Sequence, residues 1–251
     1  MNIFTFLQFK LRAMIFAIVL IFGFSEATIL YANNAPTKKI KKIIVSGSTI
    51  TMPYKHSYTL EYDSLNRIIE IIPDNSEMFG VTRFEYGTET FRISKDNINV
   101  SCSLNEHGYI EVAEESFYPI SLVGKMVYDE KGQLVATQFS ELDTIHLTWE
   151  NGNMIQMNFE DGQIDFDYTT LENKNRFGLL LEIEGEYCTL VFPYYMLLGK
   201  VTKHLPQSIK QGEEKIFYQY KTDKDGYVTQ IDMTYSSNSC IVIYGYTFSY
   251  F

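Results

Sequence analysis

Apolar and polar residues alternate with a period of two along most of this chain, the pattern of half-buried strands. Tyr58, Leu60 and Tyr62 fall on one side and Thr59 and Glu61 on the other. Ile145, Leu147 and Trp149 oppose His146 and Thr148 in the same way. Ile164, Phe166 and Tyr168 oppose Asp165 and Asp167. Strands of this kind build an antiparallel sheet with one packed face and one wet face. Tight-turn signatures separate them. Four share one form: Asp63-Ser-Leu-Asn66, Asn105-Glu-His-Gly108, Asp129-Glu-Lys-Gly132 and Asp223-Lys-Asp-Gly226. Asp or Asn opens each turn, where its side chain bonds the backbone two residues on, and Gly or Asn closes it in a left-handed conformation. Asn151-Gly152 and Asp161-Gly162 read as two-residue hairpin turns.

If these turns form, the residues flanking them become cross-strand neighbours. The expected pairs are Tyr62/Ile68, Leu104/Ile110, Tyr128/Leu134, Trp149/Met154 and Phe159/Ile164, with Thr222 facing Val228 as the polar departure. Aromatic–aliphatic pairs contribute roughly 0.2–1 kcal/mol each and hold the register. The expectation is an all-β protein: a single antiparallel meander of many hairpins, strongly curled or barrel-like, with at most one short helix. Residues 193–201, opened by Pro193 and closing near Gly199, are the helical candidate. Residues 173–178 and 203–206 read as loop excursions. No linker or low-complexity stretch divides the chain after its N-terminal segment.

That segment reads as a secretory signal over residues 1–27, leaving 28–251 as a single all-β domain. Lys10 and Arg12 form the positive start, residues 13–24 the apolar stretch, and Ser25-Glu26-Ala27 a small-x-small cleavage site, with a second candidate after Ala32. As an uncleaved anchor the stretch would carry Glu26, which is costly in a bilayer. No cysteine lies near the site to take a lipid. Export places the protein in the periplasm or outside the cell. Cys102, Cys188 and Cys240 are far apart and odd in number; one bridge, such as Cys188–Cys240, or three buried thiols both fit. There is no Cys-x-x-Cys to support redox or zinc chemistry.

Charge narrows the partners. The chain carries 21 Lys and Arg against 31 Asp and Glu, a net charge of −10. Losing Lys10, Arg12 and Glu26 with the signal makes it −11. Nucleic acid, which selects clustered bases, is excluded. The run Lys38-Lys39-Ile-Lys41-Lys42 reads as a solvated lead-in to a first strand at Ile43–Val45. There are 19 Tyr and 18 Phe against one Trp, an excess that suits pleated sheets and needs no ligand to explain it.

Catalytic signatures are absent. His56, His107, His146 and His204 lack metal spacing. Asp165 and Asp167, beside Glu160 and Asp161, form the densest acidic cluster, and paired carboxylates are what glycoside hydrolysis uses. The reading as the solvated polar side of a strand, opposite Phe166, outweighs it, since nothing in the sequence marks either carboxyl as buried. Asp223-Lys-Asp225-Gly226 lacks the distal ligands of a calcium loop, and no nucleophile elbow, phosphate loop or zinc helix occurs. No cofactor and no metal are expected.

A resemblance covers residues 43–235. Tyr128-Asp-Glu-Lys-Gly132, Thr148-Trp-Glu-Asn-Gly-Asn153, Asn173-Lys-Asn175, Lys203-His-Leu-Pro206 and Tyr220-Lys-Thr-Asp-Lys-Asp-Gly-Tyr-Val228 follow one another in order. The set resembles the exported β-rich family called domain of unknown function 4595, which has a porin-like fold. The resemblance implies a fold and an exported location, and brings no activity or site residue with it.

A porin-like fold raises the question of membrane insertion, against which the spacing argues. A spanning strand needs about 9–11 residues, whereas only eight separate Asn151-Gly152 from Asp161-Gly162. Along residues 241–251 the row Tyr244, Tyr246, Phe248, Tyr250 is out of phase with the terminal Phe251. The sequence therefore favours a non-catalytic exported protein that binds a glycan, peptide or envelope component on a wet face studded with Tyr. The alternative is a small outer-membrane barrel.

Overall fold

The structure, a computed structural model, describes residues 38–48, 53–96, 98–117, 120–139, 144–160, 162–176, 197–236 and 241–251. The first eight strands are β1 (Ile40–Ser48), β2 (Pro53–Tyr62), β3 (Ile68–Pro73), β4 (Thr82–Tyr86), β5 (Thr90–Lys95), β6 (Ile98–Leu104), β7 (Ile110–Phe117) and β8 (Ile120–Tyr128). The second eight are β9 (Leu134–Phe139), β10 (Ile145–Glu150), β11 (Asn153–Phe159), β12 (Gly162–Glu172), β13 (His204–Gln211), β14 (Glu214–Thr222), β15 (Val228–Ser236) and β16 (Ile241–Tyr250). A single helical turn, α1 (Ser76–Phe79), sits between β3 and β4. Every strand pairs antiparallel with its neighbour in sequence, and β16 returns to β1, with Ile43 opposite Phe248 and Val45 opposite Tyr246. The meander thereby closes into a barrel, which removes both sheet edges.

The four Asp/Asn turns share one geometry. The Oδ1 of Asp63, Asn105, Asp129 and Asp223 accepts the backbone N–H groups two and four residues on, at 2.8–3.0 Å. Asn66, Gly108, Gly132 and Gly226 close them at φ of 64°, 70°, 77° and 85°. In each case the register shifts by one residue beside the turn, at Tyr62, Leu104, Tyr128 and Thr222. A left-handed residue coupled to a bulge is the natural way to reverse a twisted ribbon in this loop length. Asn151 and Gly152 form a two-residue turn with φ of 52° and 80°.

The pairs Tyr62/Ile68, Leu104/Ile110, Tyr128/Leu134, Trp149/Met154 and Thr222/Val228 all face one another. Phe159/Ile164 does not. Met157 faces Ile164 and Phe159 faces Gly162, so Gly162 is the first residue of β12 and not part of the turn. Asp161 lies outside the described residues. The slip is two residues, which leaves every side chain on its own face, so alternation alone cannot exclude it.

Two other expectations need correction. The first strand starts at Ile40, and a register shift between Ile40 and Lys42 makes Lys41 an extra residue; Lys41 and Lys42 are both exposed within the strand rather than leading into it. Of the helical candidate 193–201, residues 193–196 lie outside the described residues and 197–201 form an irregular turn. Gly199 stands there at φ 95°, and a Cβ on it would lie 2.6 Å from the Gly132 carbonyl oxygen. Leu197 and Leu198 are buried side by side because the segment dips into the barrel, not because a helical face repeats.

All sixteen strands send side chains into one apolar cluster. Phe91, Ile110, Met157 and Leu198 are 0% exposed, and most of the others stand at 1–6%. A round barrel of this strand number encloses an aqueous channel. Side chains lining such a channel would be wetted; these are dry.

Candidate functional site

The antiparallel order places the β2–β3, β4–β5, β6–β7, β8–β9, β10–β11, β12–β13 and β14–β15 connections at one end of the barrel, beside the start of β1 and the end of β16. A ring of aromatic side chains lies just beneath them. Each comes from the end of an even-numbered strand and donates to the carbonyl at the start of an earlier odd-numbered one. Tyr62 Oη donates to Ile40 (2.7 Å), Tyr86 to Ile68 (2.9 Å), Tyr128 to Ile110 (2.6 Å) and Tyr168 to Met154 (2.5 Å). Tyr220 donates to Pro206 (2.7 Å), Tyr250 to Val228, and Trp149 uses its indole Nε1 on Leu134 (2.8 Å). Only β6 breaks the series, because Leu104 has nothing to donate; the Thr90 carbonyl at the start of β5 takes the Gly87 N–H instead.

Burial pushes the Tyr128, Tyr168 and Tyr220 hydroxyls well above the usual phenol range. That of Tyr250 is pushed up to about 12, again by burial, with the Asn175 amide opposing. The ring is thus locked in its neutral, donating form. Its sequence signal was visible as an aromatic recurring just before turns. Cross-strand pairing accounted for those residues without the hydroxyl, so the ring went unread.

The described ends of the β12–β13 connection, residues 173–176 and 197–203, lie against this ring and the turns above it. At its outgoing end Asn175 Oδ1 accepts the Val228 N–H (2.7 Å) and its amide donates to the Tyr250 hydroxyl (2.6 Å). Lys174 Nζ donates to the Asp225 carbonyl. At its returning end the Leu197 carbonyl accepts from Ile110, Lys200 N–H donates to Gly132 and Lys203 N–H to Gly152. Asn153 clamps His204, accepting its backbone N–H on Oδ1 (3.0 Å) and presenting its amide to Nδ1 (3.1 Å). The backbone N–H fixes which way the amide points. Nδ1 must then accept, and the neutral imidazole carries its proton on Nε2. These contacts are structural fastenings rather than a catalytic array.

The acidic cluster is spent in the same way. Asp165 accepts from the Gln156 and Gln163 amides and Asp167 from the Ser208 hydroxyl, all on the outer face of β12. His107 and His146 are exposed and far apart along the chain. Among the described residues no three His, Cys, Asp or Glu side chains gather as a metal site. Cys102 is buried; Cys188 and Cys240 lie outside the described residues.

The outer face is polar. Glu61, Glu70 and Arg83 follow one another across β2, β3 and β4, and Glu85, Arg92 and Ser101 across β4, β5 and β6. Asp165, Lys210 and Lys215 do the same across β12, β13 and β14. Large exposed apolar side chains among the described residues are Leu65, Leu171, Phe217, Ile243 and Phe251. The tyrosines are not on this face. Every tyrosine whose burial is described is buried or half-buried.

This arrangement has a known counterpart. A crystal structure of a porin-like protein from Bacteroides uniformis superposes with a TM-score of 0.63, covering 86% of this chain and 99% of that one at 16% identity. The chain has the porin-like fold. At that identity the likeness concerns the path of the backbone. No family model matches the sequence, domain of unknown function 4595 included, and no curated protein matches it. Within the porin-like fold, this chain keeps its apolar residues inside and its charges outside.

Proposed function

We propose that this protein is an exported, non-catalytic barrel that works in the aqueous part of the cell envelope as a dry scaffold. The observation that carries this reading is the inside-out polarity relative to a membrane barrel. A spanning barrel turns an apolar band about 25 Å tall to the lipid and keeps its lumen polar. Here the interior is one apolar cluster, and charged side chains stand in rows on the outer face. Arg or Lys on a lipid face costs roughly 2–4 kcal/mol at mid-depth, and Arg83, Arg92 and Lys210 would all incur it. Strand length agrees: β4 has five residues and β3, β5 and β10 have six, short of a bilayer.

A glycan, peptide or other envelope component as partner would meet the polar outer strands and the turns, since the tyrosines face elsewhere. The second reading, a pore-like outer-membrane barrel, is favoured by the closed sixteen-strand order alone. Expression of residues 28–251 without detergent, followed by gel filtration and circular dichroism, separates the two. The scaffold reading expects a monodisperse, β-rich monomer. Folding only in detergent, with conductance in planar bilayers, would establish the pore.

A further inference from the structure

The one basic concentration in this acidic protein lies where the barrel closes. Four of the five residues 38–42 are lysines. The bulge at Lys41 turns Lys41 and Lys42 to the same exposed side of β1, where regular alternation would have sent one of them inward. Lys38 is already used: its ammonium lies 2.6 Å from both Asp223 and Asp225. Lys39, Lys41 and Lys42 make no ion pair among the described residues. Lys39 Nζ is held 5.6 Å above the Tyr62 ring and Lys41 Nζ 5.4 Å above the Phe251 ring. Of the neighbouring acids, Asp63 is balanced by Arg67, and Lys38 offsets one of the two charges of Asp223 and Asp225. Glu61, two residues beyond the Thr59 that faces Lys42, remains.

Two apolar side chains project from the same corner. Phe251, 72% exposed, is anchored by its N–H on the Lys39 carbonyl and packs edge-on against Tyr62 at 6.3 Å. Leu65, 57% exposed, sits at the tip of the adjoining β2–β3 turn. Unpaired ammonium groups beside a projecting Phe and Leu match the chemistry of an anionic lipid surface. The cations meet phosphate headgroups and the apolar tips enter the interfacial layer.

We infer that the β16–β1–β2 corner is a docking surface for an anionic lipid bilayer, which the barrel touches from the water with its turn-bearing end. The inference rests on the scaffold reading in one respect: the outer face must be wet. Charge alone would not distinguish this corner from any lysine-rich loop. The bulge, the two rings under the ammonium groups and the projecting Phe251 and Leu65 set it apart.

The test uses the full chain expressed with its own leader, as recovered after processing, and sedimentation with vesicles. One set is phosphatidylcholine alone; the other contains about one-third phosphatidylglycerol. We expect binding only to the anionic vesicles, weakening as salt shortens the screening length. Lys41→Glu/Lys42→Glu should reduce it roughly tenfold or more, since each lysine near such a surface contributes a factor of about five. Phe251→Ala should weaken binding without changing the salt slope. Lys210→Glu/Lys215→Glu, an equal charge change on β13 and β14, should fold alike and bind as the natural chain does. Soluble protein that ignores anionic vesicles, or that loses binding equally with either double variant, overturns the inference. Binding to both vesicle types that resists salt and ignores Lys41→Glu/Lys42→Glu also overturns it, and a detergent requirement alongside would reject the scaffold reading as well. Retention on an immobilised acidic protein but not on vesicles would assign the corner to a protein partner instead.

Discussion

The hydroxyl ring makes single atoms testable. Tyr168→Phe removes one oxygen and leaves the Met154 carbonyl without its donor beneath the turn-bearing end. An unmade buried hydrogen bond costs about 1–3 kcal/mol, so the unfolding free energy from urea titration should fall by that much, and Tyr220→Phe should behave alike. Leu104→Tyr is the reciprocal test: the Thr90 carbonyl is already served by Gly87, so an added hydroxyl should bring no gain. The ring also sets an alkaline limit. Tyr128, Tyr168, Tyr220 and Tyr250 have pKa values raised by burial. Raised folded-state values mean that the stability is complete below the unfolded phenol value of about 10 and is lost as pH rises above it. Absorbance titration should show these phenols ionising only together with unfolding. On the acid side, the Lys38 hydrogen bond leads the causes that lower the Asp223 pKa. A lowered carboxyl stabilises above its unfolded value of about 3.9 and loses that contribution as pH falls through the folded one. Asp223→Asn should therefore flatten the acid limb of the melting-temperature profile while leaving its alkaline limb in place.

Hairpins were the part of this protein that its sequence made legible. Asx side chains opening each turn, left-handed Gly or Asn closing it, and apolar pairs flanking it are local properties. They are readable wherever a few adjacent residues decide the conformation. The β11–β12 hairpin shows the limit: a two-residue slip preserves every face, so nothing local chose between Phe159 and Met157 as the partner of Ile164. The returning end of the β12–β13 connection shows another. Leu197 and Leu198 look helical in a window of apolar residues, yet the conformation is set by contacts with β7, the Asp129 turn and the Asn151 turn, distant in sequence. This element can be loosened alone. Gly199→Ala would force a side chain into a left-handed backbone, costing about 1–3 kcal/mol, and onto the Gly132 carbonyl. Leu198→Ala would open a cavity at a fully buried site, for about 2–5 kcal/mol. Both should lower stability and increase amide exchange at Ile110, whose N–H is held by the Leu197 carbonyl. Trp149, the only tryptophan, lies in the ring below, so its emission should shift to the red in either variant.

At the scale of the whole molecule, closure is the property that no local signal could announce. The last strand has an inward row, with Tyr246 and Phe248 buried, and an outward row of Gly245, Thr247, Ser249 and Phe251. Such a strand could as easily have ended a sheet as sealed one. It seals because β1 offers a matching inward row, Ile43 and Val45, at the correct register, and because Lys38 fastens the incoming chain to the Asp223 turn. The seam is also the longest-range contact in the fold, joining residues about two hundred apart, and must form after the hairpins that precede it. Removing residues 241–251 would leave β15 and β1 as two bare edges beside an opened apolar interior. The truncated chain should therefore keep much of its β signal, lose its monomeric state and bind a hydrophobic dye. Adding the missing strand as a peptide should restore the monomer, because antiparallel pairing with both edges satisfies them at once. A truncated chain that stayed monomeric and dry would mean the flanking strands close without β16, and that the fold is a curled sheet for which the sixteenth strand is only a cover.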